Sequence, residues 1–98
     1  MIIIAGWVEV PVDERDRYLA ERRDKTLRIR ERPGCLTYTL SADSIEPDRV
    51  RVFECWEDQA AIDARHADER SQPAESFAVR VTGKEIVTYE ATTSVTPA

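Results

Sequence analysis

His66 is the only histidine in the chain. Its imidazole is the one side chain present whose ordinary pKa lies near neutrality, so it is the natural candidate for a general base. It follows Ile62 by four residues on a predicted helix, a spacing that puts both on the inner face. The structural alternative is a partly exposed histidine paired with Asp63 or Glu69. Arg22 and Arg65 are suited to orienting an anionic ligand, or else are ordinary salt-bridged helix arginines. Glu54 shares one side of an apolar strand with Val52 and Trp56. A carboxylate there needs a partner, and Arg22 or Arg23 is expected to supply it. Trp7, Tyr38, Trp56 and Phe77 either plug a core or wall a pocket for an aromatic ring. Tyr38 also offers a hydroxyl to a ligand oxygen.

Metal and disulfide chemistry find little support. Cys35 and Cys55 with one histidine cannot build a four-ligand zinc site, and no CxxC spacing is present. A disulfide between paired strands is geometrically open. The apolar start of the chain lacks a basic n-region, so it does not read as a signal peptide, and reduced thiols in the cytoplasm are expected. No run is long and apolar enough to span a membrane.

These groups must be positioned by one small domain. The chain has 98 residues, and 14 basic against 19 acidic side chains give a net charge of −5. That balance argues against nucleic acid or an anionic membrane as partner, because both need a basic face. Apolar residues at 42% and charged residues at 34% fit a globular chain. No Asn occurs.

Ile2–Val10 is β-branched and apolar on both parities, which predicts a strand with both sheet faces covered. Asp13 is a candidate N-cap for a helix running to about Arg32, stopped by Pro33-Gly34. Tyr18, Leu19 and Ile29 share its inward stripe with Arg15, Arg22 and Thr26, so the core beneath is sparse or holds a cavity. Cys35–Ala42 alternates Leu36, Tyr38 and Leu40 inward, and Val50–Trp56 returns as its neighbour. Asp58 caps a second helix to about Glu69. A short third helix is expected after Ser71 or Gln72, with Phe77 and Val81 inward and Gly83 closing it. Glu85–Ala91 is the last strand, and residues 92–98 form a tail prone to fraying. The order strand, helix, strand, strand, helix, strand is an α+β, ferredoxin-like arrangement. The doubly apolar first strand predicts a homodimer with the two sheets face to face.

The segment Pro33-Gly34-Cys35-Leu36-x-Tyr38-x-Leu40, then Asp43 and Pro47-Asp48-Arg49-Val50, resembles the antibiotic biosynthesis monooxygenase domains, a group that includes quinol monooxygenases. Phe53-Glu54-Cys55-Trp56-x-Asp58-x-Ala60-Ala61-Ile62-Asp63-Ala64 continues the likeness. The resemblance implies a dimeric α+β barrel with a pocket between helices and sheet. It also implies oxygenation of a small phenolic or quinol compound by molecular oxygen, with no metal or flavin cofactor. In that setting His66 and Trp56 are the expected catalytic groups. Arg22, Tyr38, Glu54, Arg65, Phe77 and Trp7 are the expected substrate contacts. Two departures stand out. The family's histidine usually follows the Ala-hydrophobic-Asp-Ala run directly, where this chain has Arg65 and places His66 one position later. Some family members also use an Asn, which this chain lacks, so haem binding or degradation is disfavoured. The alternative is a non-catalytic dimer that binds a small aromatic ligand.

Overall fold

The β-branched run at the start forms β1 (Ile2–Glu9), the central strand that carries the rest of the sheet. The structure is a computed structural model describing residues 1–92 and 95–97. A 3₁₀ turn (Val12–Glu14) leads into α1 (Arg15–Glu21) and α2 (Arg23–Arg30), then β2 (Cys35–Ala42), β3 (Arg49–Trp56), α3 (Gln59–Arg70) and β4 (Gly83–Glu90). All pairings are antiparallel, and the sheet order is β2-β3-β1-β4. This is the α+β, ferredoxin-like arrangement expected from the order of elements.

The pleat sorts the strands into two faces. Ile2, Ile4, Val8, Val50, Val52, Glu54, Trp56, Tyr38 and Leu40 share the helix-covered face by register. Two clusters fill it. Val8, Val10, Val50, Val52, Tyr18 and Val79 make one; Ile2, Ile29, Tyr38, Trp56 and Ile62 make the other. Ile3, Ala5, Trp7, Phe53, Cys55, Val87 and Tyr89 lie on the opposite face. There Phe53, Val87 and Tyr89 are 39%, 43% and 54% exposed. The molecule is a slab of 39 × 39 × 20 Å.

Several local expectations change. The first helix is two helices, broken at Arg22, where φ is −99° and ψ is 3°. No Pro or Gly marks the break, so the periodicity carries no signal for it. Asp13 makes no capping hydrogen bond. The strand β2 carries an irregularity between Cys35 and Thr37. One inserted residue changes the parity, so Leu36 is exposed while Tyr38 is buried. The third helix does not form. Residues 71–82 run as an irregular strap. The amides of Ala78 and Val79 donate to the Glu21 carboxylate, and Thr82 bonds Glu9. Amides bound to side chains of other elements cannot close a helical turn. Val79 is buried in place of Val81. The expectation of a frayed tail over residues 92–98 lies partly outside the described residues, at 93, 94 and 98.

Gly34 sets where α3 meets the sheet. Its φ of +83° follows Pro33, and a Cβ there would lie 2.5 Å from the Ala61 side chain. Only glycine takes this turn without strain and lets α3 approach so closely. The Glu57 amide donates to the Gly34 carbonyl at 2.9 Å. Asp58 then caps α3, its carboxylate accepting from the Ala61 amide at 2.9 Å.

Candidate functional site

The capped start of α3 aims Ile62 and Arg65, three residues apart, at the sheet. Arg65 meets Glu54 there. Glu54 Oε1 accepts from Arg65 Nη1 at 3.1 Å and from the Trp56 indole N–H at 3.0 Å. Arg65 Nε donates to Glu69 Oε1 at 2.8 Å. The Arg65 guanidinium carbon lies 5.3 Å from the Tyr38 ring centre and 5.8 Å from that of Trp56. Glu54 and Arg65 are only 8% and 9% exposed. Two charges taken this far out of water are tolerable because each is paired and hydrogen-bonded.

The charges set the state of their neighbours. Burial, then the Glu54 charge, raises the Tyr38 phenol above its ordinary value, so it stays a neutral hydroxyl. The same two causes raise the Cys35 thiol. For Glu69, burial pushes upward, but the hydrogen bond and charge of Arg65 outweigh it and lower the pKa. Burial likewise works against the Arg65 cation, but its bond to Glu69 and the charges of the neighbouring acidic groups together outweigh it, raising the pKa.

Arg65 also reaches a cleft of about 190 Å³ between α2 and α3. Lys25, Arg28, Arg32, Asp68, Glu69, Gln72 and Glu75 form its rim, with Ile29 among the lining residues. Arg28 pairs with Glu75, and Arg32 with Asp68. An engineered cavity of about 150 Å³ accommodates benzene, so a single aromatic ring fits here.

The sequence-predicted residues fall into different places. Glu54, Trp56, Tyr38 and Arg65 come together. The partner of Glu54 is Arg65, not Arg22 or Arg23. Trp56 is 0% exposed and serves as a core plug tied to Glu54. His66 does not share the inner face with Ile62: it is exposed, and the buried neighbour is Arg65. Three residues complete a face as well as four do, and the carboxylate waiting on β3 selects the arginine. Arg22 is sandwiched, its guanidinium 3.6 Å from the Tyr18 ring centre and 4.3 Å from that of Phe77. The space beneath this arginine is thus filled by the protein itself. Trp7 lies on the other face of the sheet, under Arg49 at 4.2 Å. Cys35 and Cys55 are free thiols; the register sets them opposite Trp56 and Thr37 instead of each other. Glu69, Lys25 and Arg32 were missed, although the Arg65–Glu69 spacing of four was a readable signal.

Among the described residues no cluster of His, Cys, Asp or Glu is arranged to hold a metal ion, and no helix is long and apolar enough to cross a membrane.

The sequence pattern that defines the antibiotic biosynthesis monooxygenases matches residues 1–74. An uncharacterized Synechocystis protein is 31% identical over 62 residues, which is 63% of this chain. The match spans 42% of that curated relative's length. Among solved structures, a Deinococcus radiodurans protein assigned to the antibiotic biosynthesis monooxygenases superposes with a TM-score of 0.75 at 19% identity. That match covers 100% of this chain and 99% of the other. A haem degrader of Mycobacterium tuberculosis, solved with two haems in its active site, has a TM-score of 0.69 at 19% identity. It covers 98% of this chain and 100% of that one.

Proposed function

The chain belongs to the antibiotic biosynthesis monooxygenase family, and on that premise we propose that it oxygenates a small, single-ring phenol or hydroquinone in the cleft between α2 and α3 without a cofactor. The observation that carries this reading is Arg65, a buried cation at the end of the family's Ala-Ile-Asp-Ala run and on the wall of a ring-sized cleft. A phenol ordinarily ionises near pH 10. Lys25 on the rim, which takes part in no ion pair among the described residues, adds its charge to that of Arg65 and so favours the phenolate over the phenol. The two cations thus do by charge what an imidazole base would do by proton transfer.

The phenolate is electron-rich enough to pass one electron to dioxygen. The radical pair joins through a new C–O bond at the ring. The O–O bond then breaks, one oxygen remaining on the ring and the other leaving in water. Hydroquinone plus dioxygen gives hydroxyquinone plus water, and the ring supplies all four electrons. The apolar Ile29 side chain completes the surroundings. His66 is exposed on α3 and lies outside the cleft lining.

A haem does not fit this arrangement. Arg65 is not a metal ligand, it is already committed to two carboxylates, and the sole histidine faces away. The exposure of His66 favours one second reading, a non-catalytic binder of small aromatic anions using the same cleft.

The apolar outer face of the sheet supports a homodimer formed by two such faces. An uncovered patch containing Phe53, Val87 and Tyr89 is the kind that associates. Light scattering at micromolar concentration should give about twice 11.2 kDa; the monomer mass refutes it. For the chemistry, oxygen uptake by metal-stripped protein across a hydroquinone panel is the test. Background rates with every compound would refute the oxygenase and leave the binder.

A further inference from the structure

A second groove lies where α1 and α2 rest against the edge strand β2, on residues that the proposed reaction does not use. Leu19 and Ala20 of α1, Leu27 of α2 and Leu40 of β2 give an aliphatic lining to this groove of about 390 Å³. That volume lies within the range of small-molecule sites. Leu27, one of the lining residues, is 45% exposed. Arg23, Leu27 and Arg30 follow one another at helical spacing, so two cations flank the leucine along one face of α2. No carboxylate lines the groove. Neither Arg23 nor Arg30 takes part in an ion pair among the described residues. In a chain with a net charge of −5, two unpaired arginines on an aliphatic floor are a local reversal of the overall field.

Arg30 is also held in place. Its Nε donates to the Tyr38 carbonyl at 2.7 Å. That bond fixes the plane of the guanidinium and leaves its terminal nitrogens free as a fork of donors. A fork of this kind matches a carboxylate, and the leucines beside it match a hydrocarbon chain or ring. The rim cleft between α2 and α3 is different in kind: there Arg28, Arg32 and Arg65 already have carboxylate partners.

We propose that this groove binds a small amphipathic carboxylate, with Arg30 receiving the carboxylate, Arg23 adding its field and Leu19, Leu27 and Leu40 covering the apolar part. The site is separate from the oxygenation cleft and stands whether or not the oxygenase reading holds.

Isothermal titration of the full chain with decanoate and with decanol tests it, with amide chemical-shift mapping to locate the ligand. Decanoate should bind with one molecule per chain and shift the amides of Leu19, Thr26, Leu27 and Leu40. Decanol should bind about tenfold more weakly or worse, the factor expected for losing a charge-assisted hydrogen bond. Arg30→Gln should remove the preference for the acid. Leu27→Asp, at an exposed position that does not threaten folding, should abolish binding of both. Equal affinity for acid and alcohol, an unchanged preference in Arg30→Gln, or shifts confined to Gln72 and Glu75 would each overturn the proposal. So would the absence of any decanoate binding. If the shifts depend on protein concentration without ligand, a second copy occupies the groove and the small-molecule assignment fails.

Discussion

The two halves of the helix-side core are built on different physics. At one end, Val8, Val10, Val50 and Val52 pack with Tyr18 and Val79, none of which carries a charge. At the other end, Ile2, Ile29 and Ile62 surround Trp56 and Tyr38, and in their midst sit the charges of Glu54 and Arg65. Burial of aliphatic area stabilises the first half at about 25 cal/mol per Å². The second half gives up part of that gain to hold an ion pair which, in stability alone, an apolar pair could often match or exceed. On the function proposed above, a polar centre kept at such a cost beside a cleft belongs to binding rather than to stability.

The largest expected effect comes from breaking the polar half. Glu54→Ala leaves Arg65 buried without its partner and the Trp56 N–H without an acceptor. It should cost about 3–5 kcal/mol in urea denaturation. The double replacement Glu54→Leu with Arg65→Met should instead cost less, about 1–3 kcal/mol for the Trp56 N–H left without an acceptor, while losing binding of phenolates in the cleft. If that double variant is as unstable as Glu54→Ala, the two halves do not differ in the way described. Gly34→Ala strains a positive φ and drives a methyl into Ala61, with an expected loss of about 2 kcal/mol. Val52→Ala in the apolar half should cost about 2 kcal/mol as well, with no change in phenolate affinity.

Acid should act mainly on the polar half and on the hairpin loop. Glu69 is lowered as described above. The carboxyl of Asp43 lies well below its usual range because it accepts from the Glu46 amide, the Arg51 guanidinium and the Ile45 amide. A lowered folded-state pKa contributes stability that is present above the unfolded value, near 4, and lost as pH falls toward the folded value. The melting temperature should therefore hold from pH 7 to about 5 and drop below about 4. A melting temperature that falls between pH 7 and 5 would contradict this. The smallest effect is expected for His66→Ala, within about 0.5 kcal/mol in stability, as for other surface sites, and with unchanged cleft affinity. A marked loss of turnover in that variant would restore the imidazole to the reaction.

The sequence made the strands and their order legible because alternation over seven or eight residues is a strong signal. Asp58 and Pro33-Gly34 marked their boundaries for local chemical reasons. Where the reading failed, the deciding partner was distant along the chain. The strap over residues 71–82 lacks a helix because Glu21 takes its amides. Leu36 is exposed because of one inserted residue in β2. On α3 the spacing of Ile62 suited Arg65 and His66 almost equally, and only the position of Glu54 across the layer chose between them. The need of Glu54 for a cation was readable; which arginine answered it was not.

The two tryptophans of the chain stand on opposite faces of one sheet. Trp56 is sealed in the core with its N–H bonded to a carboxylate, while Trp7 lies on the uncovered face beneath a guanidinium. They are therefore independent optical reporters. In a Trp7→Phe background the emission follows melting of the layer between helices and sheet. In a Trp56→Phe background it follows whatever comes to rest on the open face, so unfolding and the coverage of that face can be timed separately in one cuvette.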